Sequence, residues 1–269
     1  MKRYFGWVMA ALAVAALLPL APVDVAAQAG LPKDGAKGGG KGGGKGAPGG
    51  KGGDKGKDTL TPTGPAPRMP DGKVDFSGVY SPANFGNYGG AMPLQPWAKQ
   101  LYDERRASLS KDDPEGFCLP AGVPRISPFP QKFVQTKDLF VILDEGNVHS
   151  YRQIFLDGRG HGKGLDQLWM GHSIGTWEGN DTLVVDSVGF NDKTWLNGQG
   201  LPHTDKLHVT EKYTRPDLGH VNVEITIEDP GALTAPHTFT RGFLLRPEWE
   251  LLEYVCNEFN IDAGRLVGK

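Results

Sequence analysis

The stretch that decides the fold is GHSIGTWEGNDTLVVDSVGF, residues 171–190. Its first five residues match the G-x-S-x-G pattern of serine hydrolases, which would make Ser173 a nucleophile. A nucleophile elbow needs a helix directly after the serine, whereas here the turn signal Gly179-Asn180 is followed by the strand-like run DTLVVDSV. The pattern therefore predicts a β-hairpin with Ser173 inside its first strand, and the match to the hydrolase motif is accidental.

Strand-like segments rich in Val, Ile, Phe, Thr and Tyr continue on both sides of this hairpin, separated by turn signals such as Asp157-Gly158. Nine strands are expected, in KFVQT, LFVILD, VHSYRQIFLDG, LWMGHSIGTWEG, DTLVVDSVGF, KLHVTEKYT, HVNVEITIED, HTFTRGFLLR and ELLEYVCNEF. No helix is expected between them, so they predict a mainly β fold, an antiparallel up-and-down meander. Closing it as a barrel of lipocalin-like architecture removes the sheet edges, and a β-sandwich is the alternative.

The segment before these strands, LQPWAKQLYDERRASLSKDDPEG, predicts one helix in the N-terminal part of the domain. Pro96 suits a first helical turn, and Trp97 and Leu101 recur at helical spacing with charged residues opposite them. Pro114 and Gly116 are expected to end the helix. The proline-rich passage LPAGVPRISPFPQ that follows is expected to be irregular or extended.

The chain is expected to contain one folded domain, residues 68–262, followed by a flexible tail, residues 263–269. Residues 1–29 combine a basic start, an apolar run and small residues, which predicts an export signal and no transmembrane span in the mature chain. Residues 30–67 are rich in Gly, Lys and Pro and have almost no apolar side chains, so they predict a disordered tether. The protein is therefore expected in the periplasm or outside the cell.

The distribution of charge limits the partners. The 269-residue chain has a formal net charge of -2, while the seven lysines and three aspartates of the tether make that segment +4. The folded part is therefore acidic, which weighs against specific nucleic-acid binding by the domain. The tether favours at most a weak, salt-sensitive contact with an anionic surface.

The two cysteines, Cys118 and Cys256, predict a disulfide. A cysteine pair in an exported protein is usually oxidised, and two thiols are too few for a structural zinc site.

Strand alternation places three charged residues on otherwise apolar faces. Glu211 shares a face with Val209 and Tyr213, and Arg241 and Arg152 alternate with apolar residues of their own strands. A buried charge costs several kcal/mol unless it is paired. These residues are therefore expected either to pair inside the barrel or to hold a polar ligand there, and alternation alone does not decide between the two.

Further candidates come from aromatic and polar residues near strand ends. The loop GFNDKTWL suits a ligand gate at a barrel mouth, with a packed lid as the alternative. The candidate ligand-binding residues are Arg152, Glu211, Arg241, Trp177, Asp192, Trp195 and Tyr213.

The seven histidines form no H-E-x-x-H helix and no close His-x-His pair. A metal site would require His149, His172 and His208 to converge from different strands. Exposed or hydrogen-bonded histidines are the alternative reading.

Several motifs together resemble a family of exported, uncharacterised bacterial proteins. They are PLQPWA with YDER, CLPAGVPR, TWEGNDTLVVDSVGFNDKTWL and LLEYVCNE. The likeness extends from about Asp75 to Asn260, whereas the Lys/Gly tether looks peculiar to this chain. The resemblance implies one domain with paired cysteines and transfers no catalytic residue.

Three functions are consistent with these patterns, and none of them names a cofactor. The first is a barrel that binds a small, partly apolar molecule. The second is an enzyme with a metal or acid–base site inside the barrel, in which Glu211 works with Tyr213 or a histidine. The third is an envelope-associated interaction protein that binds through its basic tether.

Overall fold

The structure, a computed structural model, describes most of the expected domain. The described residues are 60–83, 91–125, 129–146, 148 and 151–256. The expected export signal, most of the expected tether and the expected tail lie outside them.

The described strands close into a single barrel in chain order. They are β1 Gly78–Pro82, β2 Gln131–Gln135, β3 Leu139–Asp144, β4 Tyr151–Phe155, β5 His172–Glu178, β6 Thr182–Val188, β7 His208–Thr214, β8 His220–Glu228 and β9 His237–Leu245. All neighbouring pairs are antiparallel except β4 and β5, which are parallel. The expectation of a mainly β barrel is confirmed, whereas that of a purely antiparallel meander is wrong.

The parallel pair arises from the long connection between its two strands. Residues 156–171 carry the chain back to the end of the barrel where β4 begins, and positive φ angles at Gly158, Gly164 and Gly171 help them turn. The ladder is only two residue pairs long, Ile154 with Ser173 and Phe155 with Ile174. The first three residues of β4 therefore have no ladder partner in β5, which leaves a gap in the barrel wall.

The strands at the two ends of the chain differ from those expected. The first expected strand is β2, and the barrel begins one strand earlier with β1, which pairs with both β2 and β9. The last expected strand, ELLEYVCNEF, forms no strand over its described residues 250–256. Because β1 already occupies the edge of β9, no ladder position remains for it.

The helix predicted around Pro96 is present as α1, Pro96–Ala107. It lies in the connection between β1 and β2, so it is not N-terminal to the barrel, and it ends well before Pro114. The Trp97 indole Nε1 donates to the Gly231 carbonyl at 2.9 Å, and the Arg105 side chain donates to the Gly200 carbonyl at 3.1 Å. The helix is therefore fixed to the outside of the barrel.

The barrel interior is divided into an apolar half and a polar half. At the end where β2 finishes and β3 begins, buried aromatic rings of Phe76, Tyr80, Phe133, Phe140 and Tyr213 pack together. The rings of Phe140 and Tyr213 meet edge-to-face with centroids 5.6 Å apart, a favourable arrangement for aromatic pairs. At the other end, called the mouth here, the interior side chains are mostly polar.

Part of the expected tether contacts the barrel. The Arg246 guanidinium donates to the Thr61 hydroxyl at 2.6 Å, and the Leu218 amide donates to the Gly64 carbonyl at 2.9 Å. Described residues therefore pack on the domain before position 68. No described helix has the length and apolar character needed to cross a bilayer.

The expected disulfide is present between Cys118 and Cys256, with the Cα atoms 5.7 Å apart. Cys118 precedes the segment Gly122–Arg125, which lies across the mouth, and the Pro124 carbonyl there accepts a hydrogen bond from Arg241 of β9. The bridge joins this segment to the chain that follows β9.

Removing the disulfide is expected to destabilise the barrel. The variant Cys118→Ala/Cys256→Ala frees a loop between positions 138 residues apart in the unfolded chain. In the chain-entropy model such a loop is worth roughly 4–5 kcal/mol in the free energy of unfolding. Urea unfolding followed by circular dichroism measures the loss, and wild type treated with a reductant should show the same one. Identical unfolding midpoints for the variant and the oxidised wild type would contradict this expectation.

Candidate functional site

The polar half of the interior is built around a buried ion pair. Arg152 of β4 and Glu211 of β7 face each other across the barrel, with Nη2 and Oε2 2.5 Å apart. Their side chains are only 7% and 5% exposed. The second carboxylate oxygen of Glu211 accepts a hydrogen bond of 3.1 Å from the Tyr213 hydroxyl. The pairing that alternation left open is therefore present.

Two serines complete the surroundings of the guanidinium. Arg152 donates from Nε to the Ser173 hydroxyl at 3.2 Å and from Nη2 to the Ser187 hydroxyl at 2.8 Å. The two hydroxyl oxygens are 2.9 Å apart and share a hydrogen bond. β4, β5, β6 and β7 each contribute a side chain to this network, which fixes the guanidinium in one position.

Electrostatics favours the ionised arginine and the neutral tyrosine. Burial by itself would lower the pKa of Arg152, but the Glu211 carboxylate outweighs it and the pKa lies above its usual value. Burial, reinforced by the charge of Glu211, holds the pKa of Tyr213 well above its usual value. Tyr213 therefore keeps its proton and donates it to Glu211.

Ser173 is not part of a nucleophile elbow. It lies inside β5, is buried, and is followed by the antiparallel hairpin to β6. The glycines around it have packing roles. Gly171 has a φ of +63°, and a Cβ there would lie 2.8 Å from the Val188 carbonyl oxygen, while a Cβ at Gly175 would lie 2.5 Å from Leu156. The prediction of an accidental hydrolase motif is confirmed.

An inner cavity of about 50 Å³ lies beside the ion pair at the mouth. Its polar lining includes Gln131, Asp144, Arg152, Glu211 and Arg241, and the Gln131 amide donates to the Asp144 carboxylate. Since a water molecule needs about 10–15 Å³ measured in this way, the cavity has room for a few waters. It is too small for most metabolites.

A second space, the wall pocket, has a volume of about 330 Å³ and opens where β4 lacks a partner. Its apolar lining includes Tyr151, Phe155, Leu168, Trp169 and Met170, and its polar lining includes Arg152, Gln153, His172 and Ser173. The outer side is held to the barrel by backbone hydrogen bonds, in which the Leu168 amide donates to the Gly189 carbonyl at 2.9 Å. Arg152 and Met170 line both the wall pocket and the inner cavity.

Four of the seven candidate ligand residues lie together and three lie elsewhere. Arg152, Glu211, Arg241 and Tyr213 line the inner cavity. Trp177 stacks on Phe76 at the opposite end of the barrel, with centroids 6.1 Å apart. In the loop after β6, Asp192 is exposed and Trp195 is buried.

The loop that carries Trp195 is a packed surface and not a ligand gate. The Arg105 guanidinium of α1 lies 4.6 Å from the centre of the Trp195 ring. The nearby His203 is also buried, and its Nε2 accepts from the Thr194 hydroxyl at 2.7 Å while its Nδ1 donates to the Thr204 carbonyl. The loop is therefore held by its own contacts, as in the packed-lid alternative.

Some residues of the site were missed by the sequence reading. Ser187, Gln131 and Asp144 occupy inward positions that strand alternation could have identified. The wall-pocket residues Trp169 and Met170 carry no such signal, because their position depends on the parallel pairing of β4 with β5.

The candidate metal ligands do not form a metal site in the described part of the chain. His149 lies outside it. The Nδ1 atoms of His172 and His161 are 2.8 Å apart and share a hydrogen bond, whereas His208 contacts the carboxylates of Asp186 and Glu228. No group of three or more His, Cys, Asp or Glu side chains among the described residues could hold a metal ion.

Breaking the buried ion pair is expected to be costly. Arg152→Ala or Glu211→Ala leaves an uncompensated buried charge, which typically lowers the free energy of unfolding by about 3–5 kcal/mol. The variant Arg152→Met/Glu211→Leu should lose much less than the sum of the single losses. Urea unfolding measures all three values.

The pair Arg159–Asp157 is a matched control. Its nitrogen–oxygen distance is also 2.5 Å, but the side chains are 49% and 31% exposed. Because solvent screens exposed pairs, Arg159→Ala should cost about 0–1 kcal/mol. Strictly additive losses at Arg152 and Glu211 would show that the two residues are not coupled.

Two histidines are expected to make the fold sensitive to mild acid. Burial lowers the pKa of both His172 and His203 from 6.5, with the charges of His161 and Arg159 adding to the effect at His172. The unfolded state then binds protons more readily, so stability is complete above about pH 6.5 and falls as the pH drops below it.

Urea unfolding at about pH 7.5 and about pH 5.5 measures this dependence, since most carboxylates stay ionised in that range. The variant His172→Gln/His203→Gln should show a smaller difference between the two pH values than wild type. An equal difference would assign the acid sensitivity to other groups.

Known proteins provide no assignment for this site. No protein-family model, no curated protein and no solved structure matches the chain. The function must therefore be argued from the wall pocket, the inner cavity and the arginine between them.

Proposed function

We propose that this protein is an exported barrel that binds a small, partly apolar molecule in the wall pocket. The observation that carries this function is the meeting of an apolar pocket with a buried, fixed guanidinium at Arg152. Binding sites for small molecules combine such a lining with a few well-placed polar groups. In this respect the barrel is lipocalin-like in architecture, although the ligand site lies in the wall.

The size and exposure of the wall pocket support this role. Its volume of about 330 Å³ is at the lower end of the range for small-molecule sites, about 300–1,000 Å³. Tyr151 and Leu168 on its rim are large apolar side chains that are 46% and 49% exposed. A ligand that covers them would remove this apolar surface from water.

The other two functions have less support. Both carboxylate oxygens of Glu211 are engaged, one by Arg152 and one by Tyr213, which disfavours Glu211 as a general base. Most of the basic tether lies outside the described residues, so its contact with an anionic surface stays a prediction. Export is supported by the disulfide, which is typical of oxidising compartments.

A neutral fluorescent dye such as Nile red tests the proposed pocket. Dye binding should be saturable in wild type and weaker by about tenfold in Leu168→Asp, since burying one leucine side chain is worth about 1.5–3 kcal/mol. Fluorescence titration measures the affinity.

Leu252→Asp is the matched control. Leu252 is 71% exposed and is not a wall-pocket residue, so the same change there should leave the affinity unaltered. Equal weakening by both substitutions, or no saturable binding in wild type, would reject the wall pocket as the binding site.

A further inference from the structure

The guanidinium of Arg152 has one nitrogen with no partner in the described part of the chain. Its Nε and Nη2 donate to Ser173, Ser187 and Glu211, whereas Nη1 makes no hydrogen bond to any described residue. The side chain is more than nine-tenths buried, yet it lines both the wall pocket and the inner cavity. A buried cationic donor without an acceptor is costly, so the position favours a ligand atom that accepts a hydrogen bond.

The charge of the wall pocket narrows the chemistry of this acceptor. Its ionisable groups include two bases, Arg152 and His172, and no carboxylate. The positions where a ligand would lie therefore favour negative charge over positive charge. A carboxylate accepts shorter and stronger hydrogen bonds from a guanidinium than a neutral carbonyl does.

The rest of the lining indicates the body of the ligand. Tyr151, Phe155 and Trp169 supply aromatic side chains, and Met170 supplies a polarisable thioether beside Arg152. Rings stack on such side chains, and thioether sulfur also contacts rings favourably. A molecule with one or two fused rings is of a size that the volume of about 330 Å³ accepts.

We propose that the wall pocket binds an aromatic carboxylate, with the carboxylate at Nη1 of Arg152 and the ring among the aromatic side chains. This assignment rests on the small-molecule function proposed above and adds the ligand class to it. Because the serines and Glu211 already hold the guanidinium in place, little side-chain entropy is lost when the ligand binds.

Two ligands that differ in charge but hardly in shape test the assignment. Naphthalene-2-carboxylate and naphthalene-2-carboxamide have the same ring system, and titration calorimetry measures both affinities near neutral pH. The carboxylate is expected to bind about tenfold more tightly or better, the usual order of difference between charged and neutral hydrogen bonds.

A rim substitution that avoids the buried network adds a second measurement. Gln153 is an exposed residue of the wall-pocket lining, and Gln153→Glu places a negative charge there. It should weaken carboxylate binding by about fivefold, the effect of one like charge about 4 Å away in water, and should leave the carboxamide unchanged. Gln199→Glu is the control, since Gln199 is an exposed glutamine outside the pocket whose side-chain oxygen accepts from Tyr102.

The outcomes separate the two proposals. Equal affinities for carboxylate and carboxamide, or Nile red binding without carboxylate binding, overturn the ligand class and leave the small-molecule function standing. Failure of all three probes to bind wild type overturns the small-molecule function as well.

Discussion

The buried pair of Arg152 and Glu211 is the constraint on which the rest of the interior depends. Neither charge is tolerable inside the barrel alone, and each becomes so only because the other lies 2.5 Å away. The serines of β5 and β6 and the tyrosine of β7 then satisfy the remaining polar atoms around the pair. One network therefore sets the relative positions of four consecutive strands, and any change in their register would separate the charges.

The same network explains why the barrel has a weak side. The Nε atom of Arg152 can bond to Ser173 only if the start of β5 lies beside β4, which the parallel pairing achieves with two residue pairs. Such a short ladder leaves backbone of β4 uncovered, and the chain before β5 covers it only in part. The wall pocket is thus a geometric result of placing a serine next to a buried arginine.

Strand alternation predicted much of the interior, because the pleat of a strand fixes which side chains point inward. It placed Glu211, Arg152 and Arg241 inside before any partner was known. It did not identify β1, because GVYSP contains glycine and proline and resembles a loop. It misread ELLEYVCNEF, because strand-like composition says nothing of whether a neighbouring edge is free. It missed the parallel pair, because residues 156–171 look like a turn followed by an ordinary strand.

The cysteine bridge has a topological result that bears on how the chain survives outside a cell. Cys118 precedes β2 and Cys256 follows β9, so eight of the nine strands are enclosed by one covalent ring. The exposed, glycine-containing loop around Gly158–Gly164 lies within that ring. A protease that nicks the loop opens the ring without releasing either piece, and the two halves stay joined through sulfur with the arginine and the glutamate still attached to the same molecule.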